Sequence, residues 1–99
     1  MQKTLSIIAP CFNEEKNIEI FYERIKKTLN KIDVKFKIYF IDDGSKDNTW
    51  QIIKKLSSLD NNISAIKLSR NFGHQNAICA GIEKADSDYV AFLDVDLQD

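Results

Sequence analysis

The sequence predicts an α/β fold built on a mainly parallel sheet, and three observations support this. Four short apolar runs recur along the chain, "LSIIAP" (5–10), "KIYFID" (37–42), "ISAIKL" (63–68) and "YVAFLD" (89–94), each rich in β-branched or aromatic residues. Three of the four are nearly continuous rather than alternating, the pattern of strands covered on both faces. The segments between them repeat apolar residues at helical period. The order is βαβαβαβ, with helices on both faces, no internal repeat and no linker. Right-handed crossovers then bring every strand's carboxyl end to one rim, where sheets of this kind bind ligands.

The first strand runs into "PCFNEE". Pro10 ends the strand because it has no N–H to donate. Asn13 suits a helix cap, and Phe12 and Glu14 are candidates for contact with a nucleoside. Ile18, Phe21, Tyr22, Ile25, Leu29 and Ile32 then fall on one apolar helix face. The second strand ends in "DDGSKDNT". Asp42 and Asp43 are adjacent, so one side chain faces the sheet edge and the other the cleft. A carboxylate there accepts from the N–H of a base or from ribose hydroxyls, and Asp43 is the better placed. Gly44 and Ser45 suit the turn.

Asp47, Asn48 or Thr49 caps a second helix whose apolar face is Trp50, Ile53 and Leu56, joined by Ile52 and Leu59. The third strand alternates less clearly, which places it nearer an edge. After it comes "SRNFGHQN". Arg70 suits either a bidentate diphosphate contact or an ion pair with a rim carboxylate. Gly73 permits a turn, and His74 reads as a hydrogen-bonded loop residue. The third helix, "QNAICAGIEKA", is rich in small residues and suited to close approach to the sheet. The fourth strand ends in "DVDLQD", where Asp94 and Asp96 stand two apart. Hard oxygen ligands at that spacing suit Mg²⁺ or Mn²⁺, and capping of a following turn suits them equally. Gln98 reads as a neutral oxygen ligand or a solvent-facing amide, and Asp99 is terminal.

The bulk composition narrows the class. Ninety-nine residues, 43% hydrophobic and 29% charged, are enough for one domain or part of one. A net charge of −1 gives no basic field for nucleic acid or an anionic surface. The two cysteines, Cys11 and Cys79, lie far apart without a C-x-x-C partner, which favours free thiols in a reducing cytoplasm. No run approaches the roughly 20 apolar residues of a membrane span.

Taken together, "SIIAPCFNEEKNI", "IDDGSKDNT", "LSRNFGHQNAICAGI" and "ADSDYVAFLDVDLQD" resemble the successive blocks of family 2 glycosyltransferases of the GT-A fold. They are most similar to the polyprenyl-phosphate branch, the dolichol-phosphate mannose synthase-like enzymes. The resemblance implies a Rossmann-like half of a GT-A fold and transfer of a sugar from a UDP- or GDP-linked donor. It also implies a polyprenyl-phosphate acceptor and a metal-assisted, inverting displacement. Pro10, Phe12 and Glu14 match the block lining the nucleoside pocket, and Asp43 matches the acid that reads the base. Asp94 and Asp96 match the D-x-D pair that holds Mg²⁺ or Mn²⁺ on the diphosphate, with Gln98 as a further ligand. Arg70 lies in a block this branch shares.

Residues 1–99 then correspond to the nucleotide-sugar-binding portion, and the acceptor half is absent. The expectation is a fragment inactive by itself, and a full-length protein held at the cytoplasmic face of a membrane by segments beyond Asp99. A saccharide acceptor or a non-catalytic nucleotide-binding scaffold are the alternatives. A haloacid-dehalogenase-type phosphatase would carry D-x-D on its first strand, a receiver domain its acidic pair after the first strand, and a dinucleotide-binding oxidoreductase a Gly-rich first turn. Here D-x-D follows the fourth strand, the receiver-like candidate pair after the first strand is Asn13–Glu14, and "PCFNEE" has no Gly.

Overall fold

The computed structural model describes residues 3–68, 79, 81, 82 and 87–95. The elements are β1 (Lys3–Cys11), α1 (Ile18–Leu29), β2 (Val34–Asp42), α2 (Thr49–Leu59), β3 (Ile63–Lys67) and β4 (Tyr89–Phe92). The strands form one parallel four-stranded sheet in the order β3-β2-β1-β4. Lys3 pairs with Val34 and Cys11 with Asp42, so β1 and β2 end level at the carboxyl rim.

The sheet has two apolar faces, as continuous hydrophobic runs require. Ile7, Ala9 and Cys11 of β1 and Phe36, Ile38 and Phe40 of β2 join Ile18, Phe21, Tyr22 and Leu29 of α1 and Ile53 of α2 in one core. Phe21 meets Phe40 edge to face, with ring centroids 5.9 Å apart. Ile8, Tyr39 and Ile41 form a second cluster on the opposite face. Gly81, within the small-residue segment, lies against that face: a Cβ there would collide with Ile8 Cγ2 and come within 3.0 Å of Ile41 Cδ1. Cys79, Gly81 and Ile82 have helical backbone; the rest of that expected helix lies outside the described residues.

Handedness explains this division. The chain moves outward from β1 to β2 to β3, then returns past β1 to β4. Right-handed crossovers therefore put α1 and α2 on one face, and Gly81, between β3 and β4, lies against the other.

Several local expectations need correction. Helix α1 ends at Leu29, where the Asn30 N–H bonds to the carbonyls of Lys26 and Thr28. Ile32 continues the apolar period in sequence but lies outside the helix, 56% exposed. Asn13 is not the cap of α1; Asn17 holds that position and makes no side-chain cap bond. Strand β4 reads as doubly covered, yet Tyr89, Val90 and Phe92 are exposed. Strand β3 does lie at an edge.

The amino-terminal side is pinned by polar contacts. Asp88 Oδ2 accepts from the Thr4 N–H at 2.9 Å and from its hydroxyl at 3.1 Å, while the Asp88 N–H donates to Thr4 Oγ1. These Thr4 bonds hold the Asp88 carboxyl below the usual range. Where α2 turns into β3, Asp60 Oδ2 accepts from the Tyr22 hydroxyl at 2.5 Å and from Lys26 Nζ at 3.1 Å, joining α1 to that corner. Among the described residues, no helix is long and apolar enough to cross a membrane.

Candidate functional site

The order β3-β2-β1-β4 places the reversal of winding direction between β1 and β4. At such a point the connections leave to opposite faces, and a crevice opens at the carboxyl ends. The β1–α1 loop borders this crevice on one side and the residues after β4 on the other, with the β2–α2 loop next in line.

The β1–α1 and β2–α2 loops are joined by five hydrogen bonds. The Asp43 N–H donates to the Cys11 carbonyl at 2.8 Å, extending the ladder past the strand ends. The Asn13 N–H donates to Ser45 Oγ and the Lys46 N–H to Asn13 Oδ1, both at 2.9 Å. The Glu14 N–H donates to Thr49 Oγ1 at 2.8 Å, and the Glu15 N–H to Asp47 Oδ2 at 3.2 Å. Asn13 makes its bonds from the left-handed region, at φ 53°. Asn tolerates that region better than most residues because its short polar side chain bonds locally.

Side chains within the second loop hold it in turn. Asp42, fully buried, accepts from the Ser45 N–H through Oδ1 at 3.2 Å, while its Oδ2 has no hydrogen-bond partner. Asp47 Oδ1 accepts from the Thr49 N–H and hydroxyl. Burial by itself would raise the Asp47 carboxyl. The bonds from Thr49 and Glu15 outweigh it and hold the group below its ordinary value. Asp47 thus does from one position further out what a cap does for α2; Asn48 stands at the N-cap without a side-chain bond. The thiol of Cys11 is pushed well above its ordinary value by burial and then by the negative charges of Asp42 and Glu14. It is a packed, protonated side chain rather than a nucleophile.

Pro10 does not end the strand as expected: β1 runs through it to Cys11, and Pro10 is half-buried opposite Ile41. Phe12 is 42% exposed at the rim, Glu14 half-buried beside it, and Asp43 only 5% exposed. The ladder from β1 continues past β4 through the Leu93 N–H to the Ile8 carbonyl at 3.0 Å, and Asp94 stands exposed immediately beyond. Val95, buried to 1% exposure in the main core, anchors the segment; sequence reasoning passed over it as a spacer between two acids. Arg70, His74, Asp96, Gln98 and Asp99 lie outside the described residues. Among the described residues, no three His, Cys, Asp or Glu side chains gather closely enough to hold a metal.

The family model described as Glycosyl transferase family 2 matches residues 6–99. The chain belongs to glycosyl transferase family 2. It is 37% identical over 95 residues to the undecaprenyl-phosphate 4-deoxy-4-formamido-L-arabinose transferase of Proteus mirabilis (strain HI4320), covering 95% of this chain and 29% of that protein. Its fold matches the mannosyltransferase PcManGT from Pyrobaculum calidifontis, solved with GDP-Man and Mn²⁺, at a TM-score of 0.85 and 18% identity, covering 97% of this chain and 28% of that one. S. aureus TarS, solved with UDP-GlcNAc, aligns at a TM-score of 0.76 and 29% identity, over 97% of this chain and 27% of its own. The fold is thus the Rossmann-like GT-A fold of glycosyltransferases. The chain spans about three tenths of the length of the curated relatives it matches.

Proposed function

We propose that residues 1–99 form the nucleotide-sugar-binding portion of a transferase that moves a sugar from a UDP- or GDP-linked donor to a polyprenyl phosphate. The acceptor half lies elsewhere in the full-length protein. One observation carries the reading: Asp43 is buried at the carboxyl end of β2, with its loop fastened to the loop that bears Phe12 and Glu14. A buried carboxylate on one loop and an exposed aromatic ring on the loop fastened to it suit a nucleoside, the acid accepting from the base and the ring offering a stacking face. The name of the Proteus relative supports a polyprenyl-phosphate acceptor, and the UDP-GlcNAc complex of TarS supports a nucleoside-diphosphate donor.

The carboxylate of Asp94, exposed just past β4 and steadied by buried Val95, fits the hard-oxygen donor set of a divalent cation. Asp94 and Asp96 would hold Mg²⁺ or Mn²⁺, with Gln98 as a further ligand. Bound there, such an ion supplies Lewis-acid stabilisation of charge on the departing diphosphate. Arg70 adds a fixed positive charge to the same diphosphate. A polyprenyl phosphate is already ionised at neutral pH, so its oxygen attacks without a strong base, from the face opposite the leaving group, and inverts the anomeric centre. By itself the 1–99 polypeptide transfers no sugar, and the full-length protein works at the cytoplasmic face of a membrane.

Calorimetric titration of the full-length protein with UDP- and GDP-sugars, with and without Mn²⁺, tests this. One donor class is expected to bind with Mn²⁺ dependence, and Asp96→Asn to abolish that dependence. Absence of binding by either donor, or unchanged Mn²⁺ dependence in the variant, would overturn the reading.

A further inference from the structure

Asn13 is exposed, yet it is the one non-glycine residue with positive φ among the described residues, at 53°. An exposed residue in that region is held there by what it bonds to. Its N–H and its side-chain oxygen both reach the β2–α2 loop, to Ser45 Oγ and the Lys46 N–H. Ser45 is fixed in its turn by the buried carboxylate of Asp42. The chain must therefore reverse at Asn13 for Phe12 to stand at the rim while the Glu14 N–H meets Thr49. Phe12 and Glu14 flank Asn13 directly, and Asp43 begins the loop to which Asn13 is tied.

We infer that Asn13 is a positioning residue: its left-handed backbone and reciprocal hydrogen bonds set the distance between the Phe12–Glu14 wall and the Asp43 wall of the nucleoside pocket. This rests on the proposed reading of the rim as a nucleotide site. Asn13 need not touch the nucleotide. Its substitution changes affinity through the relative placement of two loops, each carrying one half of the contact.

The roles of backbone and side chain separate by substitution. Asn13→Gly keeps the positive φ at no steric cost and loses only the Lys46 acceptor. Asn13→Ala loses both, and Asn13→Asp keeps both. Tyr22→Phe, at the α1–α2 corner away from the rim, serves as a control for lost stability alone. Kd for UDP and for GDP is measured by calorimetry on the full-length protein and each variant, at a temperature where circular dichroism shows all folded. The nucleotide that wild type binds is expected to bind Asn13→Ala at least 10-fold more weakly and Asn13→Gly roughly 3-fold more weakly. Tyr22→Phe should stay within about 2-fold of wild type, and Asn13→Asp, which keeps both features but adds a charge, should bind more tightly than Asn13→Ala. Asn13→Ala and Asn13→Gly binding as tightly as wild type would overturn the inference while leaving the nucleotide site standing. Were Asn13→Ala not to fold, Asn13→Gly alone would decide it. Wild type binding neither nucleotide would remove the site itself, and the inference with it.

Discussion

Asp60→Ala unfastens the corner where α2 turns into β3, and its cost follows from three bonds that share one carboxylate. Asp60 accepts from the Tyr22 hydroxyl at 2.5 Å, from Lys26 Nζ at 3.1 Å and, through Oδ1, from the Asn62 N–H at 2.8 Å. A hydrogen bond to a charged acceptor contributes roughly 1.5–3 kcal/mol, and Tyr22 supplies one from a buried ring. The Lys26 side chain is 40% exposed, so its ion pair adds only about 0–1 kcal/mol after solvent screening. The Asn62 bond is only part-buried and adds less. Because the bonds share one group they do not add fully, and the expected loss is about 2–3 kcal/mol at pH 7. For a chain of this size that corresponds to a fall in Tm on the order of 10 °C or more.

The pH profile checks the cause. Burial opposes ionisation of Asp60, but the bonds from Tyr22, Asn62 and Lys26 outweigh it and hold the carboxyl below its ordinary range. That contribution is present above the unfolded pKa of about 3.9 and is lost as pH falls through the folded value. The bond with Tyr22, then Asp60, raises the Lys26 ammonium, while burial and then the Asp60 bond raise the Tyr22 hydroxyl. Both contributions are present below about pH 10 and are lost as pH rises through the folded values. Urea unfolding of wild type and Asp60→Ala, followed by the fluorescence of Trp50, should give a stability difference that is flat from about pH 5 to 9 and shrinks at both ends. A difference under about 0.5 kcal/mol at pH 7, or one that grows below pH 4, would refute the reasoning.

Three further substitutions probe other links. Gly81→Ala drives a methyl into Ile8 on the second face of the sheet and should cost about 1–3 kcal/mol, read as a lowered Tm. Thr49→Val keeps shape but removes the acceptor for the Glu14 N–H and the donor to Asp47. It should cost about 1–3 kcal/mol, speed hydrogen exchange at the Glu14 amide, and let the Asp47 carboxyl rise toward its ordinary value by NMR titration. Phe12→Ala removes an exposed ring and should change stability by less than about 0.5 kcal/mol while weakening nucleotide binding in calorimetry. A large stability loss would mark Phe12 as core instead.

The sheet was largely legible because its runs carry their own burial signal, and the weaker alternation of 63–68 correctly placed β3 at an edge. Errors arose where one local pattern serves two structures. Asn favours both helix caps and the left-handed region, so Asn13 read as a cap while the fold uses its positive φ. Ile32 keeps the period of α1 but follows a helix that has already turned. Val95, a single apolar residue between two acids, carries no periodic burial signal of its own, yet it packs in the core. The hydrogen bonds between the β1–α1 and β2–α2 loops form a clasp whose side-chain bonds join residues 32 to 35 positions apart. No local pattern encodes which hydroxyl meets which amide across that distance.

The clasp also changes how the acidic rim is to be counted. Read along the sequence, every carboxylate in "DDGSKD" is a potential ligand contact, and their number argues for a site. In the fold, Asp42 Oδ1 accepts from the Ser45 amide and Asp47 accepts from Thr49 and Glu15. These two acids build the loop, and altering either would disturb a nucleotide site without touching its occupant. The same division accounts for the closeness of so many carboxylates. Like charges this near each other repel unless backbone amides or a cation compensate them. Amide donors supply that compensation at the β2–α2 loop, and Asp94 lies past β4, on the side of the crevice where the D-x-D pair begins. Added cation should alter binding through the Asp94 side, and loop substitutions should alter it through the placement of Phe12, Glu14 and Asp43.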